Sequence, residues 1–294
     1  MSEPAVTPSP GAPAYPVVRG LPGPARARVM AVINVTPDSF SDGGSFEEPD
    51  DAIRHGLTLL AAGADILDVG GESTRPGAAR VTADEEWRRV EPVVSALVAA
   101  GAVVSIDTMR ATTAAKAIAA GARIVNDVSG GLADPDMVPL VASAEVPYVV
   151  MHWRGPSSDM QARAVYGDVV AEVCAELQER FDAVVEGGVH PDRVILDPGL
   201  GFAKTGAHNW TLLAHLDALV GLGRPVLIGA SRKSFLGSLL QVAAAEPRPV
   251  CERDAATAAV TAIAAHAGVW GVRVHEVAAN ADAVRVAAAV RNAG

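Results

Sequence analysis

Eight short runs rich in valine and isoleucine recur along this 294-residue chain, and they constrain its fold more than any other feature. In chain order they are RVMAVIN, ADILDVG, AVVSIDT, ARIVND, VPYVVMH, DRVILDPG, RPVLIGAS and VWGVRVHE. Most are separated by alanine-rich stretches with helical spacing, such as ADEEWRRVEPVVSALVAAG, which begins with acidic residues and ends at a glycine. Apolar strands that alternate with helices are typical of a parallel sheet covered on both faces.

This alternation predicts an α/β fold, and specifically a closed (β/α)8 TIM barrel, because eight strand–helix units fit within roughly 250 residues. An open doubly wound sheet is the alternative, and the absence of GxGxxG after the first strand weakens it. We expect about eight helices in a single barrel domain over residues 28–294. The proline- and alanine-rich residues 1–27 are predicted to form a disordered tail.

Composition excludes several classes of partner. A formal net charge of -10 argues against nucleic acid, which requires a basic surface. No apolar run is long enough to span a membrane, and the N-terminus lacks the basic and apolar regions of a secretory signal. Cys174 and Cys251 lie outside any CxxC or Cys/His cluster, which predicts free thiols in a reducing, cytoplasmic compartment.

Polar residues stand at or beside the C-terminal ends of the predicted strands, where the active sites of (β/α)8 barrels lie. They are Asn34, Asp68, Asp107, Asn126, Asp127, Met151 with His152, Asp197, Ser231 with Arg232 and Lys233, and Arg273 with His275. Any one of them alone is best interpreted as a helix cap or turn residue. So many at one rim indicate a shared site.

The chemistry of this rim predicts a substrate that combines a nitrogen heterocycle with phosphate groups. The carboxylates and amide at Asp107, Asn126 and Asp197 suit hydrogen bonding to ring nitrogens. A second set is cationic and suits phosphate, and it comprises Arg75, Lys233, Arg273 and His275. Asn34 offers an amide oxygen to Mg²⁺, which usually bridges to substrate phosphates.

The motifs NVTPDSFSDGG, DVGGESTRPGA, SIDT, VNDVSGG, VVMHWRG, LDPGLGFAK, GASRKSFLG and GVRVHEV resemble the successive motifs of dihydropteroate synthases, in family order over residues 29–277. The resemblance implies a (β/α)8 barrel that forms a homodimer. It implies the condensation of 6-hydroxymethyl-7,8-dihydropterin pyrophosphate with p-aminobenzoate to 7,8-dihydropteroate and pyrophosphate, by C–O cleavage to a pterin-methyl cation. Sulfonamides are the inhibitors that the resemblance implies.

The resemblance also implies residue roles. Lys233, Asp107, Arg273 and His275 are the implied catalytic residues. The implied pterin site comprises Asp107, Asn126, Met151, Asp197 and Lys233. The implied pyrophosphate site comprises Asn34, Arg75, Arg273 and His275, with Asn34 at the Mg²⁺ ion. The implied p-aminobenzoate site comprises Phe40, Thr74, Arg75, Pro76, Phe202 and Ser234.

The loops TPDSFSDGG and GESTRPGA have the composition of mobile lids that shield a reactive cation from water. Sulfonamide resistance is expected to arise at Phe40, Thr74 or Pro76. One departure from the family pattern is Ala203, where many members have glycine.

Two rival functions share parts of this pattern. A methyltetrahydrofolate methyltransferase would keep the Asp/Asn pterin pocket but needs neither SRK nor the Arg273/His275 anion pocket. A silent pterin-binding protein would lose STRPG first. The sequence does not decide whether His152 contacts a ligand or only fills space in the core or at the surface. Lys204 and Arg232 are expected to be structural or solvated.

Overall fold

The computed structural model describes residues 15–36, 49–72, 80–155, 160–241 and 246–293. The strands are β1 (Arg28–Asn34), β2 (Ile66–Gly70), β3 (Val104–Asp107), β4 (Ile124–Asp127), β5 (Tyr148–Met151), β6 (Val194–Asp197), β7 (Leu227–Ile228) and β8 (Gly271–Val274). The helices are α1 (Pro49–Ala61), α2 (Ala83–Ala99), α3 (Ala111–Ala119), α4 (Met137–Ala144), α5 (Val169–Glu186), α6 (Gly206–Ala214), α7 (Leu216–Val220), α8 (Ser234–Leu239), α9 (Asp254–Ala267) and α10 (Ala278–Ala293). Short 3₁₀ turns occupy Met160–Arg163, Pro191–Arg193 and Val250–Glu252.

The eight strands close into a parallel barrel. Their order is β6-β5-β4-β3-β2-β1-β8-β7, and a parallel bridge between Leu196 and Val226 joins the two ends. The backbone N–H of Leu196 donates to Pro225 O at 2.8 Å across this junction. The predicted (β/α)8 barrel is therefore confirmed.

The described part of the chain holds ten α-helices, two more than expected. The segment between β6 and β7 divides into two helices because His215 leaves the helical region, with φ -121° and ψ 44°. The segment between β7 and β8 also carries two, since the short α8 follows Lys233 and α9 begins at Asp254.

Side chains alternate between the barrel interior and the surrounding helices, as the period of two in a strand requires. The lower interior is an apolar cluster of one residue from nearly every strand, namely Met30, Ile66, Ile124, Val149, Ile195 and Leu227, with Val18 and Trp270. Two residues further along three of these strands stand Asp68, Asn126 and Asp197, all buried. The interior is thus apolar towards the N-terminal ends of the strands, the lower end of the barrel, and polar towards their C-terminal ends, the upper end.

The helices pack outside the strands over a continuous core of alanine, valine and leucine. The longest helix of the first half, α2, shows how the sequence sets its ends. Thr82 caps it by accepting the Glu85 N–H at 3.2 Å, and three acidic residues occupy its first turn. Gly101 follows its end with a φ of 84°, which glycine adopts without steric cost.

The prediction of a disordered tail over residues 1–27 is wrong for the second half of that tail. Residues 15–27 pack against the barrel: Val18 is fully buried beside Trp270, and the Tyr15 hydroxyl donates to Ala265 O at 3.3 Å. The prediction failed because the two apolar anchors lie in a segment whose average composition is rich in proline and alanine. Residues 1–14 of the predicted tail lie outside the described residues.

Two further sequence predictions concern partners and cysteines. Within the described ranges, none of the helices combines the length and the apolar character that crossing a membrane requires. Cys174 and Cys251 are both free thiols, as predicted.

Candidate active site

Four of the polar strand residues meet inside the C-terminal end of the barrel. Asn126 of β4 donates from its side-chain amide to Asp68 Oδ2 at 2.8 Å. Arg273 of β8 points into the same space, with Nη1 at 3.4 Å from Asp68 Oδ2 and 3.5 Å from Asp107 Oδ2. Asp107 and Asn126 are neighbours in the register of β3 and β4. A guanidinium thus lies between two carboxylates, with an amide at its side.

Asp68 is the member of this cluster to which the sequence assigned no role. Its Oδ2 accepts from both Asn126 and Arg273, whereas its Oδ1 is buried and has no hydrogen-bond partner among the described residues. A buried carboxylate oxygen without a partner is costly, so it is available to a donor on a ligand. The signal in the sequence was an acidic residue inside an otherwise apolar strand.

Burial controls the charge states in this cluster. Burial raises the pKa of Asp107 above its ordinary value, the neighbouring Asp68 raises it further, and Arg273 opposes both. Burial lowers the pKa of Lys233 to about 7; Asp197 opposes this and Arg273 adds to it. The site therefore holds a carboxyl that is reluctant to ionise and an amine that readily gives up its proton.

Asp197 approaches the same cavity from β6. A Cβ atom placed on Gly229 would lie 3.7 Å from both Asp197 Oδ2 and Arg273 Nε, so the glycine leaves room where these two side chains converge. Met151 stands beside Asp197 in the strand register and is buried, as expected for an apolar wall. The predicted pterin residues Asp107, Asn126, Met151, Asp197 and Lys233 therefore border one space.

Lys233 and Phe202 form the outer side of this space. The Lys233 ammonium donates to Leu200 O and lies 4.5 Å from the centroid of the Phe202 ring. A Cβ atom on Gly201 would meet Lys233 Cδ at 2.8 Å, and the φ of 80° at this residue also favours glycine. Ser234 begins α8 next to Lys233 and is exposed.

His275 and Arg232 lie at the rim between β7 and β8. Ser231 Oγ is 2.9 Å from His275 Nδ1 and accepts the His275 backbone N–H at 3.1 Å. Arg232 makes two hydrogen bonds of 2.7 Å to the carboxylate of Asp254 at the start of α9. This pair ties the strand end to a helix, which confirms the structural interpretation of Arg232.

Asn34 stands in register with Gly70, which in turn stands in register with Asp107. Within the described ranges, no group of three or more histidine, cysteine or acidic side chains is arranged to hold a metal ion. A single amide oxygen suits Mg²⁺ only when substrate phosphates and waters complete the coordination. The residues therefore fit a substrate-bridged Mg²⁺ ion and not a protein cage.

The remaining predicted residues fall on two loops that the structure does not describe. Phe40, Thr74, Arg75 and Pro76 lie outside the described residues, as do most of both predicted lids. The two described ends of the second loop are held together, because Arg80 Nε lies 3.0 Å from Glu72 Oε1. Arg110 of the β3–α3 connection pairs with the other oxygen of Glu72 at 2.7 Å.

The sequence left open the roles of two residues that lie behind β5 and β6. Lys204 and His152 are both buried, and Lys204 Nζ lies 3.0 Å from His152 Nδ1. His152 Nε2 in turn lies 2.9 Å from Glu176 Oε2 on α5. A buried lysine in an apolar setting requires several hydrogen-bond partners, so Lys204 is neither solvated nor a passive filler.

Comparison with known proteins agrees with this geometry. Residues 30–275 match the family model described as pterin binding enzyme. The chain is 55% identical over 271 residues to the dihydropteroate synthase of Mycobacterium leprae, covering 92% of this chain and 95% of that protein.

Solved structures of similar enzymes superpose closely on this fold. The Yersinia pestis dihydropteroate synthase in a sulfonamide complex gives a TM-score of 0.86 at 39% identity, over 94% of this chain and 99% of that one. The Xanthomonas albilineans dihydropteroate synthase with 4-aminobenzoic acid gives a TM-score of 0.85 at 43% identity, over 95% and 99%. Sequence, fold and the buried acid–amide–guanidinium cluster agree, and the chain belongs to the dihydropteroate synthase family of pterin-binding enzymes.

Proposed function

We propose that this chain is a transferase that joins 6-hydroxymethyl-7,8-dihydropterin pyrophosphate to p-aminobenzoate, releasing pyrophosphate and forming 7,8-dihydropteroate. Family membership supports the reaction class. The observation that carries the proposal is the cluster of Asp68, Asn126, Asp197 and Arg273, which combines acceptors for ring N–H groups with a nearly buried cation.

The pterin is held by the upper polar layer of the barrel. Asp197 accepts hydrogen bonds from the amino-pyrimidine edge, since a carboxylate matches two adjacent N–H donors. Asn126 and the unpartnered oxygen of Asp68 serve the opposite edge of the ring. Met151 packs against the ring face, and Lys233 donates to a ring acceptor. The burial of these groups strengthens each hydrogen bond.

The reaction begins when the C–O bond between the pterin methylene carbon and the pyrophosphate breaks, and the electron pair leaves on the pyrophosphate oxygen. Arg273, His275 and Arg75 stabilise the charge that develops on this leaving group. Asn34 would hold a Mg²⁺ ion, which would supply additional charge neutralisation at the pyrophosphate. The aniline nitrogen of p-aminobenzoate then attacks the methylene cation, and the resulting ammonium loses a proton.

The p-aminobenzoate site lies on the outer side of the pterin. Phe202 and Ser234 border it from the described part of the chain, and Phe40, Thr74, Arg75 and Pro76 complete it. Sulfonamides compete for this site because they share the aniline ring and an anionic group. The sulfonamide complex of the Yersinia pestis enzyme supports this assignment.

A direct assay tests the proposal. Purified protein is mixed with the dihydropterin pyrophosphate, p-aminobenzoate and Mg²⁺, and dihydropteroate and pyrophosphate are followed by mass spectrometry. We expect equal amounts of both products, and no product after EDTA. Persistence of product in EDTA would remove the metal role of Asn34 and retain the synthase. Pterin binding without product would contradict the proposed reaction and favour a silent pterin-binding protein.

We also infer that the chain forms a homodimer. Ile263 on α9 and Val286 and Val290 on α10 are each more than half exposed, although isoleucine and valine are favoured in buried positions. α9 and α10 pack on each other, so these residues share one side of the barrel. Sedimentation analysis of the wild type and of Val286→Glu is expected to show a dimer that the variant weakens.

A further inference from the structure

Lys204 belongs to the loop that carries Phe202. Only 3% of Lys204 is exposed, and its ammonium lies inside the β6–α6 loop, residues 198–205. Nζ donates to Gly199 O and Phe202 O, both at 3.2 Å, and contacts His152 Nδ1 at 3.0 Å. One side chain therefore binds two carbonyls of its own loop and fastens the loop to the end of β5.

The Glu176 carboxylate determines the tautomer of His152. A carboxylate can only accept, so Nε2 carries the hydrogen and Nδ1 is left as the acceptor for an N–H of Lys204. That hydrogen is donated to Glu176 Oε2 at 2.9 Å. The hydrogen bond with His152 and those with Arg154 lower the pKa of Glu176 to about 2, so its negative charge is present at neutral pH. Neutral His152 thus links a buried cation to a carboxylate on α5.

The loop held in this way positions three predicted substrate-binding residues. Its Gly199 N–H donates to Asp197 Oδ1 at 2.7 Å. Its Leu200 carbonyl receives the Lys233 ammonium, and the Phe202 ring lies 4.5 Å from that ammonium. The loop backbone takes positive φ values at Gly199, Gly201 and Ala203, and of these only Ala203 bears a steric cost.

We propose that Lys204 is a positioning residue of this site: by binding two loop carbonyls and neutral His152, it sets the β6–α6 loop so that Phe202 meets the p-aminobenzoate and Lys233 meets the pterin. The inference deepens the proposed function and rests on it. Lys204 touches no substrate, and its effect is transmitted through Phe202 and through the Leu200 carbonyl that holds Lys233. Burial and the nearby charge of Lys233 lower the pKa of Lys204 to about 7, and the negative charges of Asp197 and Glu176 oppose this shift.

The test uses Lys204→Met, which keeps the length of the side chain and removes its charge. Lys116→Met is the matched control, since Lys116 is half exposed on α3 and its acidic partner, Asp84, lies 3.8 Å away. Steady-state kinetics are measured for both substrates together with the melting temperature. For Lys204→Met we expect KM for p-aminobenzoate to rise about tenfold or more and kcat/KM to fall about 10- to 100-fold. Lys116→Met should keep wild-type constants.

Chemical rescue separates positioning from general stability. In Lys204→Cys, alkylation with 2-bromoethylamine restores an amine on a chain of lysine length, and we expect KM for p-aminobenzoate to return towards the wild-type value. Wild-type protein treated in parallel controls for alkylation of Cys174 and Cys251. Unchanged KM in Lys204→Met, or alkylated protein that is folded but not rescued, would overturn the proposal.

If the Lys204 variants do not fold, a pair of His152 variants tests the proposal instead. His152→Asn keeps an acceptor near the Nδ1 position for Lys204, whereas His152→Gln keeps a donor near the Nε2 position for Glu176 and loses that acceptor. We expect the Gln variant to show the larger rise in KM, and equal values would overturn the proposal. Absence of product from the wild type would instead count against the proposed function, whereas product with unchanged variants counts against Lys204 alone.

Discussion

Ala203 adopts a left-handed backbone conformation, with a φ of 46°, at the position where many family members have glycine. A left-handed conformation costs an L-residue about 1–2 kcal/mol. The buried methyl group and the smaller chain entropy of alanine offset this by a similar amount, about 1 kcal/mol each at most. The balance explains why alanine is tolerated here.

Two substitutions at this position test the balance. Ala203→Gly is expected to leave the free energy of unfolding within about 1 kcal/mol of the wild type. Ala203→Val is expected to lower it by more than about 2 kcal/mol, because a β-branched residue is a strong outlier at positive φ. Urea denaturation measures both. Equal stability of the Val and Gly variants would show that the backbone is not strained here.

Asp107 makes the stability of the fold depend on pH. Its raised pKa means that the folded state holds the proton more tightly than the unfolded chain, so this group stabilises the fold at low pH and loses that contribution as pH rises. The substitution Asp107→Asn would remove the buried charge, while Arg273 keeps Asp68 as its counter-charge.

Asp107→Asn is therefore expected to be more stable than the wild type at about pH 8, by on the order of 1 kcal/mol, with a smaller difference at about pH 5. The same variant should lose pterin affinity at least about tenfold, because an amide does not reproduce the hydrogen bonds of the carboxyl group. Urea unfolding at the two pH values and pterin titration provide the measurements. A variant less stable than the wild type at the higher pH would contradict the predicted direction of the change in stability.

At the scale of elements, the β2–α2–β3–α3 region is joined by one buried carboxylate. Glu86 of α2 accepts from the hydroxyls of Thr108 and Thr113, both at 2.8 Å, and pairs with Arg110 at 2.9 Å. Arg110 also reaches Glu72 at 2.7 Å, at the start of the loop that carries Thr74, Arg75 and Pro76. The helix network thus anchors one end of a predicted substrate loop.

Glu86→Ala is expected to lower the free energy of unfolding by about 3 kcal/mol, because two buried hydroxyls and Nη1 of Arg110 lose their acceptor, although Arg110 keeps its pair with Glu72. The neighbouring Glu85→Ala provides the control: Glu85 pairs with Arg88 and Arg89 on the surface of the same helix, so we expect less than about 1 kcal/mol. Thermal and urea unfolding distinguish the two. A similar small loss in both variants would mean that the Glu86 network contributes little.

The elements that the sequence predicted well are those set by local periodicity. Short apolar runs separated by helical stretches indicated the barrel, and the rim position of Asp107, Asn126 and Asp197 followed from the strand ends. Asp68 acquired partners only on folding, since Asn126 and Arg273 are 58 and 205 residues away in the chain. No local pattern identifies such a contact. The sequence left Lys204 open between a structural and a solvated position, because its contact with His152, 52 residues away, forms only on folding.

At the scale of the whole molecule, the barrel is closed at its lower end by a segment that precedes β1. Val18 lies among Met30, Ile66 and Trp270 in the lower interior cluster. The Arg19 N–H donates to Asp192 O at 2.8 Å and holds the segment against the turn before β6. The upper end thereby remains the only access to the polar layer within the described part of the chain, and the lower end is sealed by apolar side chains.

Two adjacent valines test this closure. Val18 is 1% exposed and Val17 is 61% exposed, so they share sequence context and differ in burial. Val18→Ala is expected to lower the free energy of unfolding by about 2 kcal/mol, since it removes two buried methyl groups and leaves a cavity beside Trp270. Val17→Ala should change it by less than about 0.5 kcal/mol. Urea unfolding followed by tryptophan fluorescence measures both, and equal losses would mean that residues 15–27 do not seal the barrel in solution.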